Sequence, residues 1–178
     1  MTVFPDAKRV LVIGGGDGGT VRELTRYKTI EKIDMVEIDQ LVVEVSRQYL
    51  PTMSCKLDDP RVTLYFQDGI EFVKGKEAAY DLILVDSTDP IGPGEGLFTK
   101  AFYSDCHKAL TKHGILINQN ESPFYEVYRQ NMMKAAEKTR EIFDLSRVYT
   151  FYIGIYPSSL WSFGFSSKGL DPVLDMKP

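Results

Sequence analysis

The sequence predicts an α/β fold, in which a doubly wound and mostly parallel sheet ends in an antiparallel hairpin. Short apolar runs alternate with longer segments of helical spacing, which is the pattern of parallel strands joined by helices. The run 80–86 has a continuous apolar centre, as expected of a parallel strand covered on both faces. Near the C terminus, segments 146–155 and 160–166 alternate in polarity around a Tyr-Pro-Ser-Ser turn, which predicts the hairpin.

The composition indicates an ordinary globular protein and excludes several classes. The 178 residues are 43% hydrophobic and 26% charged, so we expect one domain spanning residues 1–178. A net charge of −4 argues against a nucleic-acid partner. With no signal peptide and no membrane-spanning run, we expect a cytoplasmic protein that does not bind membranes. Two cysteines are too few for a disulfide framework or a zinc site, so no metal is expected, and His107 and His113 are expected to be solvated rather than catalytic.

The first half of the chain predicts three strands and three helices. Strands are expected at 10–13, 32–38 and 61–66, with helices at 20–28, 39–50 and 69–74. Val21 and Leu24 would face inward in the first helix, and Asp39 is a plausible N-cap of the second. The second helix carries an apolar stripe of the kind that packs on a core, formed by Leu41, Val42, Val45 and Tyr49. Pro51 is expected to end that helix, with a loop following as far as Pro60.

The second half adds two parallel strands and the hairpin. Strand 80–86 is followed by residues 87–97, whose two prolines and three glycines predict an irregular loop, a candidate mobile lid. A helix at 99–112, a strand at 114–119 and a helix at 126–139 then precede the hairpin.

The glycine-rich stretch after the first strand is the feature that points to a ligand. Gly14-Gly-Gly-Asp-Gly-Gly19 joins a buried strand to a helix start, which is typical of a nucleotide-binding turn of the Rossmann type. Glycines let the backbone approach a ligand closely. Asp17 in the middle of this turn would repel a pyrophosphate, so a dinucleotide fits poorly and a cationic ligand fits better.

Acidic residues follow four of the predicted strands, where ligands of open α/β sheets bind. Each has a local alternative: Asp17 as a helix cap, Glu37 as a surface acid, Asp68 with Glu71 as a capping box, and Asp86 as a turn former with Asp89 before Pro90. Convergence of four carboxylates at one edge nevertheless favours a ligand site, because like charges destabilise one another unless a ligand compensates.

The spacing of these acids suits an adenosine that carries a cation. Glu37 stands 20 residues after Asp17, the spacing at which an acid accepts two hydrogen bonds from a ribose diol. Asp68 is placed to accept from an exocyclic amino group, as in adenine. S-adenosyl sulfonium compounds meet this description. A methyltransferase of this architecture usually carries an acid two residues before its first glycine, where this chain has Val12, so the acid in the turn favours a ligand amine over a ligand carboxylate.

Several motifs, in order, resemble the spermidine synthase family of polyamine aminopropyltransferases. The resemblance runs from residue 5 to residue 172 and rests on Gly14-Gly-Gly-Asp-Gly-Gly19, Val36-Glu-Ile-Asp39, Asp68-Gly69, Tyr80-Asp-Leu-Ile-Leu-Val-Asp-Ser-Thr-Asp-Pro90, Gly92-Pro93, Gln119 and Tyr156-Pro-Ser158. It implies a Rossmann-like fold of the S-adenosylmethionine-dependent methyltransferase type. It also implies a transferase of spermidine biosynthesis, assembled as a homodimer or higher oligomer, with no prosthetic group.

The implied reaction moves an aminopropyl group from decarboxylated S-adenosylmethionine, the co-substrate, to putrescine or a similar polyamine. The products with putrescine are spermidine and methylthioadenosine. Asp86 would be the proton acceptor. The implied donor-binding residues are Gly14, Gly16, Asp17, Glu37, Ile38, Asp68, Gly69 and Pro93, and the implied acceptor-binding residues are Asp17, Asp86, Asp89, Gln119 and Tyr156.

The chain also departs from the family pattern. Members usually begin with a small β-rich domain that supplies a Tyr and a Gln to the site, and usually continue past residue 172 into further helices, so a short form is expected. Gly154 stands where a proline is common. Two alternatives therefore stay open: a nucleoside-binding paralogue with little turnover, and a methyltransferase that uses S-adenosylmethionine.

Overall fold

A seven-stranded mixed sheet forms the centre of the computed structural model, which describes residues 1–177 apart from the side chains of Pro93 and Pro157. Its strands are β1 (Arg9–Gly14), β2 (Lys32–Glu37), β3 (Val62–Phe66), β4 (Tyr80–Asp86), β5 (Leu110–Gln119), β6 (Leu145–Tyr152) and β7 (Leu160–Ser167). The helices are α1 (Gly19–Leu24), α2 (Gln40–Tyr49), α3 (Pro51–Ser54), α4 (Gly69–Val73), α5 (Lys100–Ala109) and α6 (Glu126–Arg140), and 3₁₀ helices lie at Gly92–Phe98 and Pro157–Ser159. None of the helices in this part of the chain is long and apolar enough to cross a membrane.

The strand order is β3-β2-β1-β4-β5-β7-β6, with β1 to β5 parallel and β7 antiparallel to both β5 and β6. This order confirms the predicted mostly parallel sheet with a C-terminal antiparallel hairpin. The chain passes from β1 outward to β2 and β3 and then returns to β4 on the other side of β1. Such a reversal opens a crevice at the carboxyl ends of β1 and β4, where ligands bind in this architecture.

The two faces of the sheet carry separate cores, because alternate residues of each strand point to opposite faces. On one face, Leu11 and Ile13 pack with Phe102 and Tyr103 of α5. On the other face, Val10 and Val12 pack with Val21, Leu24 and Val43 of α1 and α2. Both faces of the centre are therefore covered, as the continuous apolar strands predicted.

A cavity of about 980 Å³ extends along the second face, over β4, β5 and β7. Its walls include Leu84, Ile117 and Phe165, and Asp17 and Asp86 lie along its lining. The apolar floor of this cavity thus reaches Asp17 and Asp86, whereas Glu37 and Asp68 lie outside its lining.

The expected inward stripe of α2 is wrong. Leu41 and Tyr49 are 60% and 68% exposed, and Val42 and Val45 are exposed as well. The helix packs instead through Val43 and Ser46. Ser54, on α3, donates from its hydroxyl to the Ser46 carbonyl, so the short helix α3 turns α2 onto this narrower face.

Several other boundaries differ from the prediction, and β6 ends at Tyr152 instead of residue 155. Pro51 does end α2, but it also begins α3 within the expected loop, because proline suits the first turn of a helix. Part of the 87–97 segment is likewise regular, as the 3₁₀ helix at Gly92–Phe98. Helix α1 ends at Leu24 rather than at residue 28. Beyond it the Tyr27 N–H donates to the Leu24 carbonyl at 3.1 Å, and Arg61 donates to the carbonyls of Thr25, Tyr27 and Ile30.

The boundary between α5 and β5 lies three to four residues earlier than predicted. Ala109 and Leu110 pair with the start of β4, where Ala79 donates to the Ala109 carbonyl at 2.7 Å, so α5 gives way to β5 before Gly114. His113 is exposed, whereas His107 is partly buried edge-on against Phe143, with ring centroids 5.1 Å apart.

Candidate active site

The glycine turn after β1 is pressed between the ends of two neighbouring strands. A Cβ on Gly14, whose φ is +82°, would lie 2.1 Å from the Asp86 carbonyl oxygen, and Gly15 donates its N–H to that oxygen at 2.9 Å. A Cβ on Gly16 would lie 2.9 Å from Oε2 of Glu37. The turn therefore requires glycine, and it brings the acids that end β2 and β4 to one place.

Asp17 is partly buried at the apex of this turn. Its Oδ1 accepts a hydrogen bond from the Gly19 N–H at 2.8 Å, while α1 begins after Gly18 without a side-chain cap. Oδ2 has no hydrogen-bond partner within residues 1–177. Half of this carboxylate thus stabilises the turn, and the residue lines the cavity that Asp86 also lines.

Glu37 and Asp68 each use one oxygen locally. Glu37 ends β2, and its Oε1 accepts from the Asp39 N–H at 3.1 Å. Asp68 caps α4 by accepting the Ile70 N–H at 2.8 Å, which confirms the cap but not the full capping box, since Glu71 pairs with Lys74. The second oxygen of each carboxylate has no hydrogen-bond partner in the described part of the chain.

Ile38 follows Glu37 and Gly69 follows Asp68, and these two residues differ in burial. Ile38 is an exposed residue directly after β2, next to Glu37. Gly69 is buried, and a Cβ there would lie 2.4 Å from Cγ2 of Ile13, so α4 begins in close contact with β1. The strand-end geometry predicted from the sequence therefore exists; the ligand roles remain predictions.

Asp86 is the exposed last residue of β4. The hydroxyl of Thr20 donates to its Oδ2 at 2.5 Å. A Cβ on Gly15 would lie 3.1 Å from the same oxygen. Sequence analysis missed Thr20, because a residue 66 positions away gives no local signal of the contact.

The three residues proposed for the acceptor lie on other segments. Asp89 is partly buried after β4, Gln119 ends β5 with a buried, unpartnered Oε1, and Tyr156 precedes the 3₁₀ helix of the hairpin. The Tyr156 ring lies 4.8 Å from that of Trp161. No hydrogen bond in the described part of the chain joins any of the three to Asp86. The side chain of Pro93 lies outside that part.

Glu121 is a second residue of this region that sequence analysis missed. It lies two residues beyond β5, is 2% exposed and accepts a hydrogen bond from Asn131 at 3.0 Å. Burial raises the pKa of Glu121, the Asn131 hydrogen bond opposes this change, and the charge of Asp89 adds to it. Glu121 follows the end of β5 as the other acids follow the ends of their strands, and its position after a predicted strand is the signal that could have identified it. Across residues 1–177, no three His, Cys, Asp or Glu side chains are grouped to hold a metal ion.

A glycine turn at the switch point, with acids at the ends of four parallel strands, is the arrangement at which open α/β sheets bind their ligands. The family model described as "Spermine/spermidine synthase domain" matches residues 1–177. The chain belongs to this family, which confirms the resemblance.

Relatives of known name agree with this assignment. A polyamine aminopropyltransferase of Clostridium perfringens strain SM101 is 62% identical over 173 residues, which cover 97% of this chain and 61% of the relative. One of Clostridium botulinum strain Alaska E43 is 59% identical over 176 residues, or 99% of this chain and 62% of the relative. The chain thus spans about three fifths of the length of these relatives.

Two solved structures share the fold. A spermidine synthase in complex with the transition-state analogue AdoDATO is 40% identical, with a TM-score of 0.94 over 99% of this chain and 61% of that one. The spermidine synthase of Thermotoga maritima is 38% identical, with a TM-score of 0.90 over 99% of this chain and 58% of that one. These neighbours confirm the methyltransferase-like fold with its terminal hairpin.

Proposed function

We propose that this chain acts as a polyamine aminopropyltransferase. It transfers the aminopropyl group of decarboxylated S-adenosylmethionine to putrescine and releases spermidine and methylthioadenosine. The observation that carries the proposal is the pair Asp17 and Asp86, which line one cavity, Asp17 from within the glycine turn and Asp86 from the strand end beside it. One acid suits the donor's amine and the other suits the attacking amine. Membership of the family and the names of the relatives support the same reaction.

The donor would be held by the ends of β1, β2 and β3. Glu37 accepts from the ribose hydroxyls, Asp68 from the adenine amino group, and Asp17 from the propylammonium. Gly14, Gly16 and Gly69 allow the close backbone approach, and Ile38 and Pro93 contact the nucleoside. Each acid keeps one oxygen free of local hydrogen bonds, as this assignment requires.

The chemistry is a substitution at carbon. The putrescine nitrogen attacks the methylene carbon attached to the sulfonium, the C–S bond breaks, and the sulfur takes the electron pair to become the thioether of methylthioadenosine. A proton must leave the nitrogen. An ordinary carboxylate is weaker than an alkylamine by about six pKa units, or about 8–9 kcal/mol, so complete deprotonation before attack is unfavourable. Asp86 therefore aligns the nitrogen and takes its proton as attack proceeds, in a site where the adjacent sulfonium lowers the basicity of the amine.

The acceptor would be bound by Asp86, Asp89, Gln119 and Tyr156, with Asp17 shared between the two substrates. The exposed positions of Asp86 and Tyr156 support a site that a small diamine enters from solvent. Assembly as a homodimer or higher oligomer, and residence in the cytoplasm, belong to the same proposal. Sedimentation velocity of the purified chain tests the oligomeric state.

A direct assay with Asp86→Asn tests the function. The native chain, incubated with decarboxylated S-adenosylmethionine and putrescine, is expected to form spermidine and methylthioadenosine in equal amounts, measured by mass spectrometry. Asp86→Asn should abolish turnover, because the amide cannot accept the proton, while methylthioadenosine still binds.

The matched control is Asp58→Asn, since Asp58 is an exposed acid paired only with Arg47. Near-native turnover by Asp86→Asn would make Asp86 a turn residue. Methylthioadenosine binding without turnover by the native chain would instead favour the nucleoside-binding paralogue.

A further inference from the structure

Thr20 makes a contact that the fold alone does not require. It lies in the first turn of α1, and its hydroxyl is 2.5 Å from Oδ2 of Asp86, at the exposed end of β4. The distance is that of a hydroxyl donating to an ionised carboxylate, which is a strong class of hydrogen bond. The contact joins the helix after the glycine turn to the acid proposed to accept the proton.

Asp86 is held at its main chain and at its side chain. Its main-chain carbonyl accepts the Gly15 N–H at 2.9 Å. The Thr20 hydroxyl donates a hydrogen bond to Oδ2 of the side chain. Oδ1 has no hydrogen-bond partner within residues 1–177, so one carboxylate oxygen is bonded to α1 and the other is free.

We propose that Thr20 is the positioning residue for Asp86, holding Oδ2 so that Oδ1 faces the attacking amine. This inference rests on the proposed function, because it takes Asp86 as the proton acceptor. Thr20 itself touches no reacting atom. It acts by removing the rotational freedom of the carboxylate.

The alternative is that Thr20 only secures the start of α1 against the sheet. A structural role would lower stability and leave the turnover of the folded enzyme unchanged. A positioning role would lower kcat without changing the KM for the donor, and would depend on the hydroxyl rather than on the size of the side chain.

Threonine-to-valine and threonine-to-serine changes separate these roles. Thr20→Val keeps the shape and removes the hydroxyl, and we expect kcat to fall about tenfold, or about 1.4 kcal/mol in activation free energy, with an unchanged donor KM. Thr20→Ser should keep most of the native kcat, because it keeps the donor. The matched control is Thr25→Val, whose hydroxyl donates to the Arg22 carbonyl of the same helix and makes no contact with Asp86.

The coupling to Asp86 is tested by a double-mutant cycle with Asp86→Ala, which removes the oxygen that accepts from Thr20. Thr20→Val and Asp86→Ala should be non-additive in the free energy of unfolding. A native kcat in Thr20→Val, or equal losses in the Ser and Val variants, would overturn the proposal.

The unfolding cycle needs no turnover, so it judges the contact even if the assay shows no aminopropyl transfer. A chain that fails the assay overturns the proposed function and the catalytic role of Thr20. Additive unfolding free energies overturn the contact itself.

Discussion

At the apex of the glycine turn, Oδ1 of Asp17 accepts a hydrogen bond from the Gly19 N–H, and Oδ2 makes no hydrogen bond in the described part of the chain. A ligand amine near this oxygen is attracted, and a ligand carboxylate is repelled. We therefore expect the native chain to bind decarboxylated S-adenosylmethionine at least about tenfold more tightly than S-adenosylmethionine, a difference of about 1.4 kcal/mol. Asp17→Asn should reduce this ratio, because the amide carries no charge. Isothermal titration calorimetry with both nucleosides measures it, with Asp58→Asn as the control for a lost surface charge. Equal affinity of the native chain for the two would favour the methyltransferase alternative.

At the scale of the element, α2 packs on the sheet through a narrow face. Val43 is 1% exposed, whereas Val45, on the expected stripe, is 44% exposed. The same valine-to-alanine change at the two positions therefore has different consequences. Val43→Ala should lower the free energy of unfolding by about 2 kcal/mol, because it removes two buried methyl groups and leaves a cavity. Val45→Ala should change it by less than about 0.5 kcal/mol, as is usual at the surface. Urea denaturation followed by circular dichroism compares them, and a larger loss for Val45→Ala than for Val43→Ala would show that α2 packs through the other face.

For the molecule as a whole, the acids proposed for the donor lie at the ends of β1, β2 and β3, whereas Asp86 and Tyr156 of the proposed acceptor site are exposed. Methylthioadenosine at 100 times its Kd should therefore stabilise the chain by about 2.7 kcal/mol and raise Tm accordingly. Putrescine alone should raise Tm much less, because a carboxylate–ammonium pair open to water contributes about 1 kcal/mol or less. Differential scanning fluorimetry measures both, with sodium chloride at matched ionic strength as the control for putrescine. A larger shift with putrescine than with methylthioadenosine would contradict this division of the site.

The sequence by itself determined the order of strands and helices and the edge of the sheet at which the acids lie. Both depend on local information. Apolar periodicity sets the type of each element, and the carboxyl ends of parallel strands meet at one edge whatever the details of packing. This is why Asp17, Glu37, Asp68 and Asp86 were placed correctly with respect to their strands. The ribose, adenine and amine contacts assigned to them followed from the resemblance and from spacing, and they remain to be measured.

Only the tertiary structure decided which face of α2 is buried, what binds the carbonyls after α1 and what holds Asp86. Each of these depends on residues far apart in the chain. Arg61 takes the Thr25 carbonyl across 36 positions, and Thr20 meets Asp86 across 66. Helical spacing shows that an apolar stripe exists on α2, but the packing of α3 beside it selects the face that is buried. These contacts form because helices and strands that are distant in the sequence pack side by side in the folded chain. A local pattern of residues carries no information about which distant elements will meet.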